Sequence, residues 1–235
     1  MAVKQLPLSF EFRANQTFDD FYTGCNLEAV SLLQDAVVYR TESQVYIWGE
    51  PGLGKSHLLR ACCNKAQRVN LSSFYFDLSA EQLPEPDALC GLESFDLVCF
   101  DNLEHIMGKP EWELAFFNFF NQHRELGNTL ILSASCPPAD LKVSLPDLKT
   151  RLNWGLTLKL KALDDDDKTA ALIFKAGHMG FDISVQTARF ILTHYDRDLN
   201  YLWALLIDLD HASLAAKRKL TIPFLKEILN QDTSR

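Results

Sequence analysis

The 235-residue sequence has no cysteines in C-x-x-C spacing, no uninterrupted apolar run approaching about 18 residues, and no excess of basic charge. Each shortage closes off a class of function. Six cysteines, two of them adjacent at Cys62 and Cys63, outline neither a zinc site nor a disulfide framework and suit a reducing compartment. The N-terminus has only Lys4 ahead of a short apolar stretch broken by Pro7, so neither export nor membrane spanning is indicated, and a cytoplasmic location is expected. A net charge of −8 argues against a chain whose main business is gripping nucleic acid, because neutralising phosphates takes a basic surface. The histidines, His57, His105, His123, His178, His194 and His211, show no metal-ligand spacing.

What is present is a phosphate-binding pattern. Gly49-Glu50-Pro51-Gly52-Leu53-Gly54-Lys55-Ser56 fits G-x-x-x-x-G-K-[ST], a match that average residue usage produces by accident in a chain this long roughly one time in a hundred. Small residues let backbone N–H groups curl around phosphate oxygens, Lys55 brings positive charge to the β/γ end, and the Ser56 hydroxyl can ligate Mg²⁺. Strand-like Val45–Trp48 precedes the loop, and helix-like His57–Cys63 follows it.

Strand and helix periods then alternate. Phe74–Phe76, Asp96–Asp101 and Thr129–Ser135 read as strands, the last two as fully buried ones, with a helix over Glu111–Leu126 between them. This order predicts an α/β fold with a parallel sheet and helical crossovers. From about Asp164 the strand signals stop, and helices are expected at Asp164–His178, Ser184–His194, Asp198–Ala216 and Ile222–Leu229. Asp164–Asp167 suit a helix N-terminus and Lys217–Lys219 a helix C-terminus. With 47% hydrophobic residues, the chain can bury one large domain, or a large one and a small one.

Asp101 closes the second buried strand, where a parallel sheet delivers side chains to a ligand, and its carboxylate can hold Mg²⁺ through water opposite Ser56. The next residue, Asn102, cannot act as a general base, and Glu104 is the nearest other carboxylate. Slow or absent hydrolysis by the chain alone is therefore expected.

The order of Thr17–Asn26, the Gly49–Ser56 loop, Leu97–Asn102, Ser133-Ala134-Ser135 and Arg151–Thr157 resembles the AAA+ ATPase family of the bacterial replication initiator DnaA, over roughly Thr17 to Leu229. The resemblance implies a clamp-binding peptide at 1–14, an AAA+ nucleotide-binding α/β domain at 15–162 and a helical lid domain at 163–235. It implies an adenine nucleotide, ADP or ATP, with Mg²⁺, held by Gly49, Gly52, Leu53, Gly54, Lys55, Ser56 and His57. Asp101 becomes the metal-side carboxylate, and Ser135 the polar sensor of the γ-phosphate, with Ser133 as its substitute. Arg151 matches the arginine that such proteins present across a subunit boundary. At the second sensor, usually an arginine, Asn200 stands, which leaves Arg197 either to substitute or to pair with Asp196 or Asp198.

Two further features tilt the resemblance toward a regulator that inactivates the initiator. The chain stops at Arg235, short of the initiator's DNA-binding helices, and Lys4–Phe10 is similar to the peptides that dock on the DNA polymerase sliding clamp, with Gln5, Leu6, Leu8 and Phe10 as anchors. DnaA and the clamp are then the implied partners, with head-to-tail association permitting a homodimer or a nucleotide-dependent oligomer. The alternative is an autonomous DnaA-like ATPase that loads another protein onto DNA.

Overall fold

The computed structural model describes residues 16–80, 83–216, 220–223 and 225–226. Five strands, β1 (Gln44–Trp48), β2 (Ser73–Asp77), β3 (Leu97–Asp101), β4 (Thr129–Ala134) and β5 (Leu156–Lys159), form one parallel sheet in the order β2-β3-β4-β1-β5. Around it lie α1 (Leu27–Val38), α2 (Lys55–Arg68), α3 (Pro110–Glu125) and α4 (Pro146–Leu152). The lid follows as α5 (Asp165–His178), α6 (Val185–His194) and α7 (Leu199–Ala216). The expected parallel sheet and helical lid are both found.

The two-residue period of the strands sorts the cores. Val45, Ile47, Leu97, Cys99 and Ile131 point to the face covered by α1 and α2, whereas Tyr46, Phe74, Phe76, Val98, Phe100 and Leu132 point to the face covered by α3 and α4. All residues of β3 and β4 are buried, as central strands of a sheet covered on both faces should be. On α3, Trp112, Phe116, Phe119, Phe120 and His123 form one buried stripe at helical spacing, and the Phe100 ring meets Phe116 and Phe119 edge-on at 5.1 and 5.2 Å. Each such aromatic pair adds roughly 1 kcal/mol beyond its burial.

β5 was not among the strands expected. It has four residues and mixed exposure, and it pairs only with β1 as an edge. The turn into it runs so close to β1 that a Cβ on Gly155, at φ +74°, would sit 2.3 Å from the Gln44 carbonyl oxygen.

Caps explain where the lid begins. The Asp164 carboxylate accepts from the Asp167 N–H at 2.8 Å, and the Ser184 hydroxyl from the Thr187 N–H at 3.1 Å. Leu172, Ile191, Leu202, Leu206 and Leu209 fill a separate lid core, joined by Leu220 and Leu225. Lys217–Lys219 and the end of the fourth expected helix, from 227 on, lie outside the described residues. Two hydrogen bonds between the Asn26 side-chain amide and the Lys161 backbone, at 2.9 and 2.8 Å, anchor the strand-to-lid crossing on the N-terminal segment. No helix among the described residues is long and apolar enough to cross a membrane.

One core residue makes stability depend on pH. His123 is buried beside Phe119, its Nε2 has no hydrogen-bond partner, and burial pushes its pKa down to about 4 against the pull of the Phe95 backbone. Between that value and the unfolded value of about 6.5, the unfolded chain binds the extra proton. Its contribution is therefore complete above about pH 6.5 and is lost as pH falls toward about 4. Urea midpoints followed through this window are expected to fall for the native chain and to fall less steeply for His123→Leu; equal slopes would contradict the assignment.

Candidate functional site

β1 ends at Trp48, and the loop Gly49–Gly54 turns the chain into α2, whose first residue is Lys55. Gly52 and Gly54 adopt φ of +82° and +86°, a region that costs a side-chain-bearing residue of the order of 1 kcal/mol. Neighbours reinforce the requirement: a Cβ on Gly54 would lie 2.7 Å from Cε2 of Phe21. The Lys55 ammonium donates to the carbonyls of Gly49 at 2.5 Å and Glu50 at 2.8 Å. Burial lowers its pKa, opposed by the charges of Glu104 and Asp101. These carbonyl acceptors are neutral, so an anionic phosphate oxygen makes the stronger partner.

The loop opens on a cleft of about 570 Å³, a volume in the range of small-molecule sites. Gly52, Leu53, Gly54, Lys55, Ser56 and His57 line one wall, Phe21, Tyr22 and Asn26 another, and the lid residues Phe174, Asn200 and Trp203 a third. His57 Nε2 is 2.8 Å from the Thr17 carbonyl and its ring lies against Phe21. Burial holds its pKa below the usual value, so the neutral ring donates to Thr17 and pins the N-terminal segment over α2. His57 thus shapes the cleft wall. The lid contributors are legible afterwards as the spacing Asn200, Trp203, Ile207 on α7, a helical stripe that faces the cleft while Leu202, Leu206 and Leu209 face the lid core.

Asp101 lies on the α2 side of the sheet, fully buried, and does not line the cleft. Tyr75 OH donates to its Oδ2 at 2.6 Å, and Ser133 Oγ donates to its Oδ1. The Ser133 oxygen accepts in turn from the Asn102 N–H at 3.1 Å. Burial, then the Asp101 charge, pushes the Tyr75 phenol far above its ordinary pKa, so it remains the donor. Asn102, at φ +61°, turns its amide to Asp77 Oδ1 at 3.0 Å while its residue lines the cleft. Ser135 is exposed just beyond β4, where its N–H donates to Glu104 Oε1 at 3.0 Å, and Glu104 Oε2 is buried with no hydrogen-bond partner. Ser56 and Asp101 offer the hard oxygens that suit Mg²⁺, but only Ser56 faces the cleft.

Arg197 does not reach the cleft. Its guanidinium reaches Asp165 at 3.1 Å and the Leu192 carbonyl at 3.2 Å, so it pairs with neither Asp196 nor Asp198. Asn200 lines the cleft instead, and Asp198 Oδ2 would lie 3.2 Å from a Cβ on Gly52.

Arg151 stands at the C-terminal end of α4, away from this cleft. Its guanidinium carbon is 4.5 Å from the Phe117 ring centroid, 5.5 Å from Trp154 and 5.8 Å from Phe120. Arg124 covers Trp154 at 4.3 Å. None of the ion pairs among the described residues involves Arg151. Buried Glu113 of α3 positions α4 by accepting from the N–H groups of Gly108, Ser144 and Leu145 at 2.7, 2.9 and 2.8 Å. Gln5, Leu6, Leu8 and Phe10 lie outside the described residues.

Comparison with known proteins places two family models on the chain: "Hda, lid domain" over residues 165–229 and "Bacterial DnaA ATPAse domain" over residues 89–159. Domain III of DnaA from Thermotoga maritima superposes with a TM-score of 0.76 at 20% identity, covering 91% of this chain and 97% of that one. AMPPCP-bound DnaA from Aquifex aeolicus gives 0.76 at 20% identity, over 94% and 70%. A replication initiator DnaA bound to AMPPCP and single-stranded DNA gives 0.70 at 19%, over 84% of this chain; the chain spans 65% of that protein's length.

The close approach of Phe21 to Gly54 generates a direct test. Gly54→Ala is expected to lower stability by about 1–3 kcal/mol in urea denaturation, through positive φ and the ring clash together. In a Phe21→Ala background the penalty is expected to shrink. An undiminished penalty there would mean that the ring is not the obstacle.

Proposed function

We propose that this chain, an Hda-like, DnaA-related AAA+ protein, regulates replication initiation: it binds an adenine nucleotide, docks on the DNA polymerase sliding clamp and stimulates hydrolysis of ATP held by DnaA, which inactivates DnaA. The nucleotide, ADP or ATP, occupies the cleft between the Gly49–Ser56 loop and the lid. The AMPPCP-bound DnaA structures of the same fold support an adenine nucleotide there. Mg²⁺, when bound, neutralises phosphate charge, and the Ser56 hydroxyl would hold it. Docking on the clamp falls to Gln5, Leu6, Leu8 and Phe10. Contact with DnaA is head-to-tail, as a homodimer of the chain would also be.

The observation that carries this reading is the setting of Arg151. A guanidinium tied to a carboxylate has its charge largely neutralised, whereas one resting on aromatic faces keeps its charge and its N–H donors available. Presented to a partner's triphosphate, it meets the negative charge that develops on the transferred phosphoryl group. The chain's own cleft is poorly equipped for the same step. Asn102 stands beside Asp101, whose carboxylate is buried and does not line the cleft, and Asn200 lines it where the resemblance implies an arginine. The nucleotide held by this chain then acts as a ligand that stabilises the closed arrangement of lid and loop.

Single-turnover hydrolysis of DnaA-bound ATP, measured with DNA-loaded clamp, tests the role. Arg151→Ala is expected to lower the stimulated rate by about a hundredfold or more, within the range that such arginines supply. Arg151→Lys should fail similarly, since an ammonium lacks the planar fork of donors. Stimulation retained by Arg151→Ala would overturn the assignment.

A further inference from the structure

We propose that Lys175 is the lid's phosphate-binding residue, its ammonium taking the phosphate nearest the nucleoside, so that its contribution is the same for a diphosphate and for a triphosphate. The inference rests on the reading of the cleft as a nucleotide site, and it names the group through which the lid engages that ligand.

Of the described lid residues that line the cleft, Lys175 alone is charged. It is half-buried, and its ammonium enters none of the ion pairs among the described residues. Asp20 is the one carboxylate among the described residues of the cleft wall, and its partners lie elsewhere: it accepts from the Thr17 hydroxyl at 2.6 Å and the Thr17 N–H at 3.3 Å, and His178 Nδ1 lies 3.3 Å from its other oxygen. The other cations of the wall are placed differently. Arg60 is tied to Gln16 at 3.0 Å and covers the Tyr75 ring at 4.6 Å, Lys161 is exposed, and Lys55 belongs to the phosphate loop. A half-buried ammonium facing a cleft without a carboxylate of its own calls for an anion from the ligand.

Contacts along α5 fix where that side chain stands. Asp167, Phe174 and His178 recur at seven- and four-residue spacing on one helix face, and each meets the N-terminal wall: Tyr22 OH donates to Asp167 Oδ1 at 3.3 Å, the Tyr22 and Phe174 rings meet edge-on at 5.8 Å, and His178 faces Asp20. Lys175, one residue past Phe174, borders this seam where it opens on the cleft. Burial chiefly lowers the His57 pKa, and the Lys175 charge lowers it further, more strongly than that of Arg60, which shares α2 with His57. Lys55 instead feels Glu104 and Asp101, and Lys175 is not among the charges that act on it. The two ammonium groups therefore serve different stretches of the cleft. Lys55 reaches the β/γ end, whereas Lys175 stands beside His57 in the first turn of α2, where backbone N–H groups cradle the phosphates nearer the nucleoside.

Salt separates this role from a structural one, because screening weakens a charge contact and leaves a packing contact nearly unchanged. The experiment is calorimetric titration of the full chain with ADP and with AMPPCP, in MgCl₂ at low and at high KCl, for the native chain, Lys175→Met and Lys175→Arg. At low salt Lys175→Met is expected to weaken both nucleotides by the same factor, about tenfold, and the gap from the native chain is expected to narrow at high salt. Lys175→Arg, which keeps the charge, should retain most of the affinity. ADP affinity of Lys175→Met within about twofold of the native value at low salt overturns the inference and leaves the nucleotide reading intact. A loss of the same size at both salt concentrations also overturns it, because the lysine then acts on the fold rather than on phosphate. A loss larger for AMPPCP than for ADP overturns the placement beside the phosphate nearest the nucleoside. Absence of ADP binding by the native chain overturns the reading of the cleft, and the inference with it.

Discussion

The hydroxyl–carboxylate–hydroxyl tie of Tyr75, Asp101 and Ser133 joins the carboxyl ends of β2, β3 and β4, and the arrangement of the nucleotide cleft depends on it. A buried carboxylate is costly unless it is hydrogen-bonded, and here two donors from flanking strands satisfy it on the one face that α2 covers. The same tie holds the Asn102 backbone, which then turns its amide away toward Asp77. A parallel sheet brings all its carboxyl ends to one edge, so the loop after β1, Asp101 at the end of β3 and Ser135 just after β4 lie along the same edge without any of them being close in sequence. The chemistry available at that edge is set by which of these groups remain free. Ser56 faces the cleft and Lys55 is held there only by neutral carbonyls, whereas Asp101 is buried behind it with a hydroxyl on each oxygen.

On α4, away from that cleft, the opposite choice is made with a cation. Arg151 is stabilised by the faces of Phe117, Phe120 and Trp154, and Arg124 also lies over the Trp154 ring. Glu113 uses its buried carboxylate to order the loop into α4 and so fixes the helix that carries Arg151. Acidic and basic groups thus fall into two sets. Asp101 and Glu113 are satisfied within the fold, whereas Arg151 is held by aromatic contacts and enters none of the ion pairs among the described residues.

The fold was legible where pattern and burial coincide. The phosphate loop, the continuous apolar runs of β3 and β4 and the aromatic stripe of α3 all announce themselves, because buried parallel strands and an amphipathic helix leave strong periodicities. β5 leaves almost none, being four residues at an edge, and its existence depends on the pairing with β1. Side-chain commitments were the least legible part of the site. That Arg197 would choose Asp165, 32 residues away, or that Tyr75 would reach Asp101 across two strands, follows from tertiary proximity that no local pattern encodes. Asn200 was visible as a departure from the family's arginine, but its place on the cleft wall required the lid to be folded over the loop.

The central claim is that the guanidinium of Arg151 serves a triphosphate held by another molecule while the chain's own cleft stays inactive. The most direct measurement is the origin of the released phosphate in a mixture of DnaA, DNA-loaded clamp and this chain, with γ-labelled ATP preloaded on one protein at a time. Label is predicted to be released when it starts on DnaA, and to be retained when it starts on this chain. Release from this chain alone, at a rate indifferent to DnaA and clamp, would contradict the account.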